Sequence, residues 1–189
     1  MKKFLIVVDA QNDFIDGSLA NPVAKSKVPN IVKKINDFDG DYIVVTHDTH
    51  GKDYLDTKEG KKLPIAHCIE GTTGWEINSE ISEAISKNKA YMVGLSKPTF
   101  GSMDLLNLME ALADVENNEE MEITLIGFCT DICVVSNALL LKANFYDIAE
   151  ITVDASCCAA AYINDEEEAK NQTAALRVMK SCQINVINE

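Results

Sequence analysis

Residues able to do chemistry gather in a few short stretches of this chain. In Gly127-Phe128-Cys129-Thr130-Asp131-Ile132-Cys133-Val134, two cysteines fall where an apolar strand-like run, Met121 to Ile126, gives way to an apolar helix-like run, Ile132 to Ala143. The first amides of a helix lack internal partners and the dipole is positive there, so a thiol at this turn is expected to ionise more easily. Thr130 or Asp131 offers a capping oxygen. Amides near Cys129 and Cys133 could hold the oxyanion formed when a thiolate attacks a carbonyl. The competing role is that of a small buried hydrophobe, common for free cysteine.

Two further residues sit at comparable places. Asp9 ends the run Phe4 to Val8, and Lys97 follows the run Ala90 to Leu95, with Pro98 keeping it extended. Parallel strands bring their carboxyl ends to one edge, where ligands collect. A carboxylate, an ammonium and a thiol there suit acyl transfer through a thioester. Lys97 would steady the charges, while Asp9 takes the Cys133 proton and returns it to the leaving group.

A metal site is the other candidate. Asp48 and His50 alternate at the end of the run Tyr42 to Thr46 and point to one side, and His67 follows a polar loop, Lys52 to Lys62. Two imidazoles and one carboxylate leave positions open for water and substrate. His47 points to the opposite side.

These residues require an alternating scaffold. Helices are predicted over Val28 to Phe38, from Thr73 or Gly74 through Ile85 with Ile77 and Ile81 on the stripe, over Leu105 to Leu112, and over Asn164 to Lys180. Strands are added at Ile148 to Val153, ending at Asp154, and at Ile184 to Ile187; Glu116 to Glu120 reads as a solvated acidic surface. Strands alternating with helices give a doubly wound α/β layer, one domain over residues 1–189.

Composition narrows the partners. With 17 basic and 30 acidic side chains the net charge is −13, which disfavours nucleic acid and anionic membranes as partners. The N-terminal apolar run stops after five residues at Asp9, short of the roughly 7–15 of a signal h-region. No stretch approaches the roughly 18 apolar residues of a membrane helix, so a cytoplasmic protein is expected. The six cysteines lack the density of a disulfide framework and paired zinc-ribbon spacing, and are read as reduced.

Taken together, Val8-Asp9-Ala10-Gln11-Asn12-Asp13-Phe14, Lys97-Pro98-Thr99-Phe100-Gly101-Ser102 and the Gly127 to Val134 segment resemble, in order, the three motifs of the isochorismatase-like cysteine hydrolases. The resemblance runs from about Phe4 to Ile187. It implies a Rossmann-like three-layer α/β/α fold with a mostly parallel sheet of about six strands and a triad of Asp9, Lys97 and Cys133. It further implies a cis Phe128–Cys129 peptide, an oxyanion hole from the Cys129 and Cys133 amides, and a homo-oligomer. Asp48-Thr49-His50 and His67-Cys68 look like the metal-binding part of the nicotinamidase branch, which implies a divalent metal, zinc-like, on Asp48, His50 and His67, and Phe14 against the substrate ring. Pro64 and Ile65 stand where that branch usually has Trp-Pro, and Thr49 where it has Trp. The implied activity is hydrolysis of a small amide such as nicotinamide; the alternatives are another small amide or carbamoyl substrate, with or without metal, and a binding module on the same fold.

Overall fold

The computed structural model describes residues 1–113 and 119–189, so most of the acidic stretch Glu116 to Glu120 lies outside the described residues. Six strands form one sheet: β1 Lys2–Val8, β2 Tyr42–Asp48, β3 Tyr91–Lys97, β4 Met121–Phe128, β5 Ala149–Ala159 and β6 Asn185–Ile187, in the order β3-β2-β1-β4-β5-β6. Every neighbouring pair is parallel. The chain winds outward from β1 to β3, then returns to the centre at β4 and winds the other way. The strand order therefore reverses between β1 and β4, and a crevice opens at their carboxyl ends.

Burial on both faces explains the uninterrupted apolar runs. In β1, Phe4, Ile6 and Val8 pack with α4 (Met103–Leu112), α5 (Val135–Asn144) and α6 (Asp165–Ser181), through Leu105, Met109, Leu141, Leu176 and Met179. Leu5 and Val7 face the opposite layer, built on the short α1 (Asn12–Ile15), α2 (Pro22–Asp37) and α3 (Ser79–Lys87), through Ile15, Val28, Ile31, Ile35 and Ile81. Gly127 in β4 has a φ of 117°, and a Cβ there would stand 2.0 Å from the Val8 carbonyl oxygen. Only glycine lets β4 approach β1 this closely.

Several boundaries differ from expectation. Helix α2 starts at Pro22, ahead of Val28, because Asn21 caps it by accepting from the amides of Val23 and Ala24. Proline at the first helical position needs no amide partner. Helix α3 starts at Ser79, with Asn78 as its cap; Thr73 and Gly74 belong to turns, and Ile77 bridges to Gln11. Strand β5 continues beyond Asp154 through a register shift, Leu125 opposing Val153 and Gly127 opposing Cys158. Asp154 is held there by Lys34 at 3.0 Å, by Ser156 and by Asn188. All six cysteines are free.

Candidate active site

Lys97, the last residue of β3, is the point where separate pieces of chain meet. Its Nζ forms an ion pair with Asp9 Oδ2 at 2.7 Å, donates to the Thr99 carbonyl at 3.0 Å, and lies 3.5 Å from both Cys133 Sγ and Asp48 Oδ1. Asp9 follows β1 in the left-handed region at φ 46°, a conformation that aspartate tolerates at some cost in strain. Thr46 fixes it: the Asp9 amide donates to the Thr46 carbonyl and hydroxyl, and the hydroxyl donates to Asp9 Oδ1 at 2.7 Å. Asp9, Lys97 and Cys133 are all buried.

The electrostatics of this cluster follow from that burial. Burial raises the Asp9 carboxyl above the ordinary aspartate value, and the Lys97 charge pulls it back only in part. Burial would discharge Lys97, but the charges of Asp9 and Asp48 and the hydrogen bond to Asp9 outweigh it and keep the amine protonated. Burial, then the Asp9 charge, push the Cys133 thiol well above its ordinary value against the pull of Lys97. The expectation of an easily ionised thiol is thus reversed: at rest the sulfur keeps its proton beside a carboxylate disposed to accept one.

The cysteine turn is tighter in purpose than a helix start. Residues Thr130–Val134 form a π-type turn ahead of α5, a form that occurs often at functional sites. The Cys129 carbonyl accepts from the amides of Ile132 at 3.1 Å and Val134 at 3.0 Å, passing over the Cys133 amide between them. Neither Thr130 nor Asp131 caps this turn. Asp131 Oδ1 instead accepts from the Ala161 amide at 2.8 Å, tying the turn to the end of β5. The Phe128–Cys129 peptide is cis, as expected.

Next to the cluster, ligand atoms of Asp48, His50 and His67 lie within 4.8 Å of one another. Asp48 Oδ2 is 3.0 Å from His50 Nε2 and 3.5 Å from His67 Nε2. His67 Nδ1 sits 2.9 Å from the Ile65 carbonyl, which fixes its hydrogen on Nδ1 and leaves Nε2 as the donor atom for a metal. Burial works against ionisation of Asp48, but His50, His67 and Lys97 outweigh it and hold the carboxyl well below the usual range. A buried carboxylate flanked by two imidazoles with their Nε2 atoms turned towards it fits a divalent, zinc-type ion. His47 lies away from this group, its ring 5.2 Å from that of Trp75.

Some contributors carry no periodic sequence signal. Gln11 clamps Asp48 through both backbone groups, donating to its carbonyl at 2.9 Å and accepting from its amide at 2.8 Å, and also donates to the Trp75 carbonyl. Asp13 accepts from the Cys68 amide at 2.7 Å and so anchors the residue after His67. Tyr54, the buried aromatic of an otherwise polar loop, packs its ring 4.7 Å from His50 and 4.9 Å from His67. Glu59 reaches to 3.9 Å from His50 Nε2. Phe14 stands with its ring edge 5.9 Å from His67. Cys133, Cys129, Asp48, His67 and Phe14 all line one cavity of about 520 Å³.

A doubly wound parallel α/β protein with a buried thiol, ammonium and carboxylate at its switch point, beside an Asp-His-His group, is the class that this geometry defines. The chain belongs to the isochorismatase family: the model of the Isochorismatase domain matches residues 3–188. It is 31% identical over 151 residues to an uncharacterised isochorismatase family protein of Bacillus subtilis, covering 74% of this chain and 78% of that one. The crystal structure of a nicotinamidase/pyrazinamidase from Bacillus subtilis matches over all of both chains at 27% identity and a TM-score of 0.73. The fold is also that of a Pyrococcus horikoshii pyrazinamidase solved in complex with zinc, at 23% identity, full coverage of both chains and a TM-score of 0.75.

Proposed function

We propose that the protein is a cysteine-dependent amidase that hydrolyses a small amide such as nicotinamide to its acid and ammonia. The observation that carries this reading is the Lys97 ammonium held between Asp9 at 2.7 Å and Cys133 at 3.5 Å. The likeness to proteins named for nicotinamidase and pyrazinamidase supports the substrate class.

In this mechanism Cys133 Sγ attacks the amide carbonyl as its proton passes to Asp9, whose affinity for a proton is raised by burial. The thiolate forms only as the reaction proceeds, with the Lys97 ammonium against it. The amides of Cys129 and Cys133 receive the oxyanion. Asp9 then gives the proton to the departing nitrogen, ammonia leaves, and a thioester remains on Cys133. Water cleaves the thioester, releasing the acid and restoring the thiol. Phe14 packs against the substrate ring. A divalent ion, zinc by the donor set, on Asp48, His50 and His67 would supply an electrophile that anchors a ring nitrogen. Among the described residues no helix is long and apolar enough to cross a membrane. A homo-oligomer belongs to the same reading, supported by Tyr91 and Met92, exposed on the edge strand β3.

The test is ammonia release from nicotinamide by metal-loaded protein. Turnover is expected, and its absence with Cys133 intact defeats the substrate assignment.

A further inference from the structure

The cavity has two chemically distinct levels. At its floor lie ionisable groups: Asp48 and Glu59 line it as carboxylates, and the buried Lys97 ammonium and Asp9 carboxylate sit directly behind Cys133 and Asp48. At its mouth stand Leu63, Ile65, Phe100 and Ile163, all lining the cavity and 36%, 42%, 43% and 74% exposed. Four large apolar side chains held open to solvent around one opening form a patch of the kind that marks a binding surface.

Size points the same way. A cavity of about 520 Å³ falls within the range of about 300–1,000 Å³ that buries drug-sized ligands, whereas a single-ring amide is much smaller. A ring seated between Phe14 and Cys133 reaches the floor and leaves the mouth unfilled.

Charge adds a second constraint. Among the described residues no lysine or arginine lines the cavity, and its lining carboxylates are Asp48 and Glu59. At the floor three carboxylates face one ammonium; a divalent ion brings that sum to zero and leaves no positive charge over. The chain as a whole carries −13. An anionic substrate would shed its hydration without gaining a dedicated counter-charge.

We propose that the site selects neutral primary amides bearing an apolar substituent that rests on Leu63, Ile65, Phe100 and Ile163, and discriminates against amides bearing a carboxylate. This inference rests on the amidase reading above, which supplies the reacting end of the substrate. Burying a few methylenes against such a mouth is worth about tenfold or more in kcat/KM.

The experiment compares nicotinamide with derivatives alkylated by methyl, ethyl or propyl at each free ring carbon in turn, and with the matching ring carboxylates, on metal-loaded protein. For at least one position the propyl derivative should exceed nicotinamide by about tenfold in kcat/KM, and the carboxylate at that position should fall at least as far below it. Ile163→Asn and Phe100→Ser should each shrink the ratio of propyl to parent severalfold. Nicotinamide turnover combined with loss of kcat/KM at every alkylated position overturns the proposal and leaves the amidase reading standing. A propyl advantage that survives both substitutions overturns the assignment to this mouth. Failure of every compound to release ammonia ends both readings.

Discussion

Below the cavity Lys97, Asp9 and Asp48 are buried and matched, Lys97 to Asp9 and Asp48 to two histidines, with Asp9 held by Thr46 and Asp48 by Gln11. At the mouth, Leu63, Ile65, Phe100 and Ile163 are exposed and apolar. Buried charge is costly unless it is paired, so the floor has one arrangement that works and little room to vary. An exposed leucine or isoleucine costs little and is replaced with little consequence for folding. In the proposed function the floor supplies the reaction, and in the proposed selectivity the mouth sets what it acts on.

The sharpest way to break this division is to remove the sulfur at the floor. Cys133→Ala should lower kcat/KM by more than ~10⁴-fold while thermal unfolding and metal content stay near those of the parent. Retained turnover would remove Cys133 from the mechanism. Asp9→Asn should cost about 10²–10⁴-fold, the usual worth of a positioned base. The parent should also show an acid limb set by Asp9. The base must be ionised, and burial raises its pKa, so activity is lost as pH falls through a value above the ordinary ~4 of aspartate. A limb at or below that value would contradict the assignment.

The metal group offers the next contrast. His67→Ala should strip most of the bound metal, as measured by elemental analysis, whereas His47→Ala, at a histidine packed on Trp75, should leave it almost intact. Equal losses would refute the ligand assignment. Smaller again is the clamp: Gln11→Ala leaves both backbone groups of Asp48 without this partner and should weaken metal affinity about 10–100-fold by chelator competition. Unchanged affinity would show that the position of Asp48 is set by the strand alone.

The same two levels explain what could be read from residues alone. Asp9, Lys97 and Cys133 each follow an apolar run, and the rule that parallel strands end at one edge groups them from the sequence alone. The mouth was not legible. Leu63 and Ile65, Phe100, and Ile163 come from three separate loops without periodicity, and only packing brings them to one opening. The positioning contacts of Gln11, Asp13 and Tyr54 are hidden for a related reason, since a polar or aromatic residue in a loop looks solvated until its partner is known. Helical periodicity also foretold a helix after Cys129 but not its π-type first turn, because a pattern near 3.6 residues is blind to one extra residue. The thiol departs from the expectation because helix position is a local property, whereas burial and the Asp9 charge arise from the assembled sheet.

The most direct measurement of the central claim is rapid quenching of metal-loaded protein during turnover of nicotinamide, followed by peptide mapping of the six cysteines. The account predicts a nicotinoyl thioester on Cys133 that forms and decays at rates matching ammonia release. Ammonia release with no adduct, or with the acyl group on Cys129 or another cysteine, would contradict it.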